Sequence, residues 1–261
     1  MNLQSTSFCI ENARELARWA SRAYTDAPTI SDAKTDTQVL IVDCGDYITA
    51  NFRGTSNLRD FVTDAKAWRV KTRFGYVHAG IWEAWESVED RVLGELRALG
   101  DKPIFPGGHS LGGSLSHFCS CSAREAGLMI HSNYAFGAPR DGDKDWQKIY
   151  NATPMRGSPF LNLGAATFTL INDCDVVPRI PGWLAGYRRP GHDEFISLLT
   201  PNHADEDPSL CFRLFSDAMS LYDAWSARRD PLFVDELLLD HRMNNYLAAL
   251  GAMQPQEAMA A

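Results

Sequence analysis

The sequence lacks any long apolar run and any basic, hydrophobic leader. No uncharged apolar segment approaches the ~18–20 residues that a transmembrane helix needs, and the N-terminal region has only Phe8-Cys9-Ile10 as a hydrophobic stretch. We therefore expect no integral membrane association. Because the sequence shows no secretory signal, we expect the protein either in the cytoplasm or outside the cell after a signal has been removed.

Positive charge and cysteine are also scarce. The chain has 25 basic and 33 acidic residues, a net charge of -8, which argues against nucleic acid and anionic membrane surfaces as partners. Six cysteines in 261 residues are too few for a disulfide scaffold, and no C-x-x-C spacing occurs. We expect buried, reduced thiols, and neither a metal nor an organic cofactor is implied.

The pattern of elements predicts one α/β domain over residues 1–261, with about the last ten residues frayed. No repeat, low-complexity tract or linker divides the chain. Helical spacing of apolar residues occurs over residues 10–24, 85–99, 111–126, 211–225 and 234–250. Strand patterns lie between them, at residues 38–43, 47–54, 102–108, 131–139, 168–173 and 194–199. This alternation favours a mostly parallel sheet covered by helices.

The stretch FPGGHSLGGS, residues 105–114, carries the strongest chemical signal. Its GHSLG is a G-x-S-x-G between a predicted strand and a predicted helix, the context of a nucleophile elbow. Such an elbow holds its serine in a strained conformation with the hydroxyl above the sheet, and glycines on either side avoid collisions. The motif therefore predicts Ser110 as a nucleophile, although a plain glycine-rich βα turn has the same pattern.

A serine nucleophile needs a base and an acid that orients the base. In this type of fold the chain order is serine, acid, histidine, which leaves His192, His203 and His241 as possible bases. The acid should end a strand, and the segment FTLINDCDVVPRIP offers Asp173 and Asp175. Asp175 is followed by an extended Val-Val-Pro exit that can aim a carboxylate at the edge of the sheet.

Five blocks along the chain together resemble one family. They are FRGTSNLRDFVTD, VHAGIW, GHSLGG, FGAPRDGD and NDCDVVPRIP, which run in order from residue 52 to residue 181. The chain is similar in these blocks to the class 3, fungal-type lipases, and more weakly in DHRMNNY at residues 240–246. The resemblance implies an α/β-hydrolase fold with a central, mostly parallel sheet flanked by helices.

The resemblance also assigns roles at matching positions. Ser110 matches the nucleophile, Asp175 the acid and His241 the base, with His203 as the reserve candidate for the base. The oxyanion would be bound by the backbone N–H of Leu111 and by Thr55, through its N–H and its hydroxyl.

Residues 56–68 follow the oxyanion residue and resemble the lid helix of the fungal lipases. Leu58, Phe61 and Val62 form one apolar stripe at helical spacing. Asp64, on the other side of this helix, matches a family acid that supports the Thr55 hydroxyl. The alternative is a surface helix packed permanently on the core. A lid predicts low activity on dissolved ester and a rise when the substrate forms droplets.

The expected function is hydrolysis of lipid esters of the triacylglycerol type through an acyl-serine, with the substrate met in solution or at a lipid–water interface. Phospholipase A1 and feruloyl-type esterases share the same blocks and are the alternatives among enzymes. A catalytically dead, hydrolase-like binding protein is the alternative outside enzymes. Residues 181–231 have no clear family pattern, so acyl chain, headgroup and oligomeric state stay open.

Overall fold

The computed structural model describes residues 1–55, 68–158, 160–172, 175–196 and 241–253. Within these ranges the α-helices are α1 Ile10–Arg22, α2 Ala79–Glu86, α3 Glu89–Ala98, α4 Leu111–Glu125, α5 Lys144–Ala152 and α6 Met243–Ala252. The strands are β1 Ile30–Asp32, β2 Thr37–Asp43, β3 Ile48–Phe52, β4 Arg69–Thr72, β5 Gly75–His78, β6 Ile104–His109, β7 Asn133–Phe136, β8 Thr167–Asn172 and β9 His192–Ile196.

Seven of these strands form one sheet in the order β1-β2-β3-β6-β7-β8-β9. The first three strands pair antiparallel, and β3, β6, β7, β8 and β9 pair parallel. The predicted mostly parallel sheet is confirmed. The hairpin of β4 and β5 is separate from it, and α5, β1 and this hairpin have no counterpart among the elements predicted from the sequence.

Helices cover both faces of the sheet, and alternate residues of the strands point to opposite faces. In β6, Ile104 belongs to a hydrophobic cluster with α2, α3, α4 and α5, whereas its neighbour Phe105 belongs to a second cluster with α1 and α6. The strands of a covered parallel sheet are accordingly buried on both sides. Every residue of β3, β6, β7 and β8 is buried.

The predicted single helix over residues 85–99 is wrong, because the chain forms α2 and α3 with a break between them. The Ser87 hydroxyl donates to the carbonyl of Ala84 at 2.8 Å and lies 2.9 Å from the Thr35 hydroxyl. A serine hydroxyl that bonds backbone locally offers an alternative to the helical ladder. The contact with Thr35 is a tertiary one, which apolar spacing does not encode.

The predicted helix over residues 234–250 also needs correction. Residues 241 and 242 form a turn and a bend, and α6 begins only at Met243. Residues 234–240 and the predicted helix over residues 211–225 lie outside the described residues.

The carboxyl ends of the parallel strands determine where a site can form. In open α/β sheets, ligands bind outside these ends. Thr55 follows β3, Ser110 follows β6 and Asp175 follows β8, so three residues singled out from the sequence lie along one edge of the sheet. The strand register places the ends of β3 and β6 side by side, because Phe52 of β3 pairs with Gly108 of β6.

Candidate active site

Ser110 occupies a strained turn between β6 and α4. Its φ is 60° and its ψ is -131°, a conformation that side chains rarely adopt. The turn is held from both sides: the Ser110 N–H donates to the carbonyl of Phe136 at 2.8 Å, and the Gly113 N–H donates to the carbonyl of Ser110 at 2.9 Å. Strain of this kind persists where surrounding contacts enforce it, and it is concentrated at active sites.

The two glycines of G-x-S-x-G are required by close packing. A Cβ at Gly108 would lie 2.6 Å from the carbonyl oxygens of Gly112 and Phe52. A Cβ at Gly112 would lie 2.0 Å from the carbonyl oxygen of Phe52. The elbow therefore packs directly on the end of β3, which brings the backbone of the serine turn against the loop that carries Thr55.

Asp175 and His241 form a buried hydrogen-bonded pair. The distance from His241 Nδ1 to Asp175 Oδ2 is 2.7 Å, and the residues are 1% and 0% exposed. A carboxylate oxygen only accepts, so Nδ1 carries the proton and Nε2 is left as the acceptor. Asp175 is placed by the turn after β8, where its N–H donates to the carbonyl of Asn172 at 2.8 Å.

Two further donors hold the Asp175 carboxylate. The Tyr246 hydroxyl of α6 donates to Oδ2 at 2.6 Å, and the Val177 N–H donates to Oδ1 at 2.9 Å. Burial and, second, the charge of Asp175 raise the pKa of Tyr246 well above its usual range, so its hydroxyl keeps the proton that it donates. Gly137 provides the room, because a Cβ there would lie 2.9–3.0 Å from atoms of His241, Tyr246 and Asp175.

Ser110, His241 and Thr55 line one cavity of about 500 Å³. Within the described ranges, neither Ser110 Oγ nor His241 Nε2 makes a hydrogen bond to the protein. Catalytic hydrogen bonds in unliganded enzymes are often long and tighten in the substrate complex. The cavity is therefore lined both by the Ser110 hydroxyl, on its strained turn, and by the His241 imidazole, whose tautomer Asp175 sets.

The last turn of α1, through Ser21, and the turn that follows the helix, through Tyr24 and Thr25, form another wall of this cavity. Sequence reasoning missed this wall, because α1 reads only as an amphipathic helix. It also missed Tyr246, although this residue ends the DHRMNNY block. A tyrosine five positions after a candidate base has no motif of its own, and only packing brings its hydroxyl to Asp175.

The predicted oxyanion residues flank the serine. Leu111 is the first residue of α4, and the first N–H groups of a helix have no partner within the helix. Thr55 follows Gly54, whose Cβ, if present, would lie 3.0 Å from the Cβ of Ser110. Both residues are thus adjacent to Ser110, Leu111 along the chain and Thr55 through space.

Other predicted residues do not join this site or are not described. His192 is the first residue of β9, is exposed, and stacks on Phe168 with ring centroids 6.1 Å apart. The predicted lid residues Leu58, Phe61 and Val62 lie outside the described residues and stay predictions. The same holds for three polar candidates, which are Asp64, Asp173 and His203.

The described cysteines Cys9, Cys44, Cys119 and Cys121 are free thiols. Cys119 and Cys121 are buried as expected, whereas Cys9 and Cys44 are partly exposed, which corrects the expectation for these two. Among the described residues, no cluster of three or more His, Cys, Asp or Glu side chains could hold a metal ion. None of the described helices has both the length and the apolar character to cross a membrane.

Comparisons with known proteins show which family has a similar sequence. The chain is 23% identical over 202 residues to the lipase of Rhizomucor miehei, which covers 73% of this chain and 50% of that relative. The chain thus spans half the length of this curated relative.

Solved structures agree on the fold. The Rhizomucor miehei triacylglyceride lipase superimposes with a TM-score of 0.60 at 22% identity, over 74% of this chain and 82% of its own. The lipase of Rhizopus microsporus var. chinensis has a TM-score of 0.59 at 26% identity, over 76% of this chain and 75% of its own. The class 3 lipase model matches residues 49–185, more than half of the 261 residues. The chain therefore belongs to the class 3 lipase family and has the α/β-hydrolase fold.

Proposed function

We propose that this chain hydrolyses lipid carboxylic esters, triacylglycerols in particular, through a triad of Ser110, His241 and Asp175. The observation that carries the proposal is the buried Asp175–His241 pair at 2.7 Å, which faces the same cavity as a serine at φ 60°. The family of the chain supports ester hydrolysis. The likeness to a triacylglyceride lipase supports the choice of substrate.

In the proposed reaction, His241 Nε2 takes the proton of the Ser110 hydroxyl while Oγ attacks the ester carbonyl. Asp175 keeps the imidazole in the tautomer with Nε2 free and stabilises its charged form. The N–H of Leu111 and Thr55 bind the developing oxyanion. His241 then protonates the departing alcohol, and a water activated by the same Nε2 hydrolyses the acyl-serine.

The first test is covalent labelling with a fluorophosphonate followed by kinetics. Wild type should be labelled, and Ser110→Ala should not be and should lose roughly 10⁴-fold or more in kcat. The matched control is Ser114→Ala, which removes a buried hydroxyl on α4 that donates to the carbonyl of Pro139 at 3.3 Å. This control should be labelled like wild type. An unlabelled wild type would support a non-catalytic binding protein instead.

The second test identifies the base and the acid. Because triad members act as a unit, His241→Ala should be as inactive as Ser110→Ala. Asp175→Asn should lose about 10⁴-fold, since an amide stabilises the wrong tautomer. Inactivity of His203→Ala with an active His241→Ala would contradict the assignment of the base.

The third test separates substrates within the family. Initial rates are compared on triolein, phosphatidylcholine, methyl ferulate and a chain-length series of p-nitrophenyl esters. The proposal expects hydrolysis of triolein and of the longer p-nitrophenyl esters. Hydrolysis confined to phosphatidylcholine would identify a phospholipase A1, and hydrolysis confined to methyl ferulate would identify a feruloyl-type esterase.

A further inference from the structure

A series of hydrogen bonds crosses the cavity wall and connects four segments that are distant in sequence. The Gly54 N–H lies 3.2 Å from the Tyr24 hydroxyl, and this hydroxyl lies 2.8 Å from His109 Nδ1. The other ring nitrogen of His109, Nε2, lies 2.6 Å from the backbone carbonyl oxygen of His241. The bonds link the loop after β3, the end of α1, the serine elbow and the turn before α6.

The direction of every bond in this chain follows from its ends. A carbonyl oxygen only accepts, so His109 Nε2 carries a proton and donates to His241. In a neutral imidazole the other nitrogen is then an acceptor, so Tyr24 donates its proton to Nδ1. The Tyr24 oxygen in turn accepts from the Gly54 N–H. Each bond therefore has one direction, from Gly54 to Tyr24, from Tyr24 to His109 and from His109 to His241.

Desolvation of the His109 ring and of the Tyr24 hydroxyl keeps both groups in the required protonation states, although Tyr24 as a whole residue is 40% exposed. Desolvation and, second, the proximity of His241 lower the pKa of His109 to about 3, so the ring is neutral at physiological pH. Desolvation raises the pKa of Tyr24 to about 12, so the hydroxyl retains the proton that it donates. The hydrogen bond to the His241 carbonyl and, second, the charge of Asp175 raise the pKa of His109 but do not reverse the shift.

Packing reinforces both ends of the chain. The rings of His109 and His241 stack with centroids 4.5 Å apart and an interplanar angle of 29°. At the other end, a Cβ at Gly54 would lie 2.3 Å from the Tyr24 hydroxyl and 3.0 Å from the Cβ of Ser110. The ring of His109 thus contacts both the ring and the backbone carbonyl of His241. The Tyr24 hydroxyl lies against Gly54, which precedes Thr55.

We propose that Tyr24 and His109 are positioning residues that hold the catalytic imidazole of His241 and the oxyanion loop at Thr55 in register with Ser110. This inference rests on the proposed triad. Neither residue takes a proton from the substrate. They set the separation between the base and the oxyanion donors, which decides how well both meet the same tetrahedral intermediate.

The expected effect is on kcat, because the geometry matters most in the transition state. Tyr24→Phe and His109→Leu should each lower kcat by about 10- to 100-fold, the scale of a misplacement of about 1 Å, with KM within about twofold. His109→Gln keeps one donor and one acceptor on its amide and should restore much of the loss. The double variant Tyr24→Phe/His109→Leu should fall no further than its worse single variant, since both break one chain.

The control for folding is Tyr150→Phe. Tyr150 is fully buried in the hydrophobic core, and its hydroxyl makes a 2.8 Å hydrogen bond with Thr167 Oγ1. Its removal should lower the free energy of unfolding to a similar degree and leave kcat unchanged. Thermal melting and fluorophosphonate titration of every variant give its folded fraction and its number of active sites.

These measurements separate two failures. A wild type that is inactive on esters overturns the proposed function and with it this inference. An active wild type overturns only the inference if Tyr24→Phe retains full kcat per titrated site. Losses that multiply in the double variant, or an equal loss in His109→Gln and His109→Leu, would also overturn it.

Discussion

The Tyr246 hydroxyl can be removed from the candidate site with little change in the shape of the side chain. Tyr246→Phe deletes one oxygen from a fully buried ring. That oxygen donates to Asp175 Oδ2 at 2.6 Å and accepts from the Asn172 N–H at 3.1 Å. The variant therefore removes one hydrogen bond from the Asp175 carboxylate and takes this acceptor from the Asn172 N–H.

The magnitude follows from these two bonds. A hydrogen bond to a charged group contributes about 1.5–3 kcal/mol, and a buried donor left unsatisfied costs about 1–3 kcal/mol. The two losses share one oxygen and do not add fully, so we expect the free energy of unfolding to fall by about 2–4 kcal/mol. Asp175 keeps its bonds to His241 and Val177. We therefore expect kcat to fall about 10- to 100-fold, far less than the ~10⁴-fold expected when the carboxylate itself becomes an amide.

The assay combines kcat and KM on p-nitrophenyl butyrate with urea unfolding. The matched control is Tyr134→Phe, because the Tyr134 hydroxyl is also buried and accepts from a backbone N–H, that of Cys9, at 3.0 Å. Both variants should lose stability, and only Tyr246→Phe should lose kcat. If the two variants lost stability alike and both retained kcat, the hydroxyl would be structural and the reasoning refuted.

Three other changes test the site and its surroundings. Thr55→Ala keeps the backbone N–H and removes the hydroxyl, so kcat should fall by at most ~10²–10³-fold with little change in KM; a change in KM alone would assign Thr55 to substrate binding. Gly137→Ala adds a Cβ within 3.0 Å of Asp175 Oδ2 at a φ of 63°, so it should lower both kcat and the unfolding temperature, and retention of both would contradict the observed packing. Burial lowers the pKa of His78 from 6.5 to about 4, so below pH 6.5 the unfolded chain binds a proton that the folded chain does not, and stability falls as pH drops towards 4. His78→Asn keeps an acceptor for the N–H of Ile81 and should reduce the loss of unfolding free energy between pH 7 and pH 4.5, whereas an unchanged loss would exclude His78 as its source.

The features that the sequence determined by itself depend on short-range sterics. The elbow around Ser110 could be predicted because the glycines that make room for it lie two residues away on either side. In the structure, a Cβ added at Gly108 or Gly112 would lie only 2.0–2.6 Å from backbone oxygens. The parallel sheet could be predicted because buried strands and amphipathic helices alternate along the chain. An acid at the end of β8 could be predicted for the same reason, but the choice of Asp175 over Asp173 rests on family resemblance. The expected extended Val-Val-Pro exit is wrong, because Val176 has helical φ and ψ of -79° and -28° and a 3-10 helix follows at Val177–Arg179.

Only the tertiary structure decided which distant side chains complete the site. Tyr246 is 71 residues from Asp175 and Tyr24 is 85 residues from His109, yet each pair is hydrogen bonded at less than 3 Å. Such contacts depend on how α1 and α6 pack on the sheet, and apolar spacing gives the direction of a helix face but not its partner. The break at Ser87 has the same origin, since the Thr35 hydroxyl that it meets is 52 residues away. The local periodicity of apolar residues predicts the helices and strands. The packing between these elements determines which polar residues form hydrogen bonds with one another.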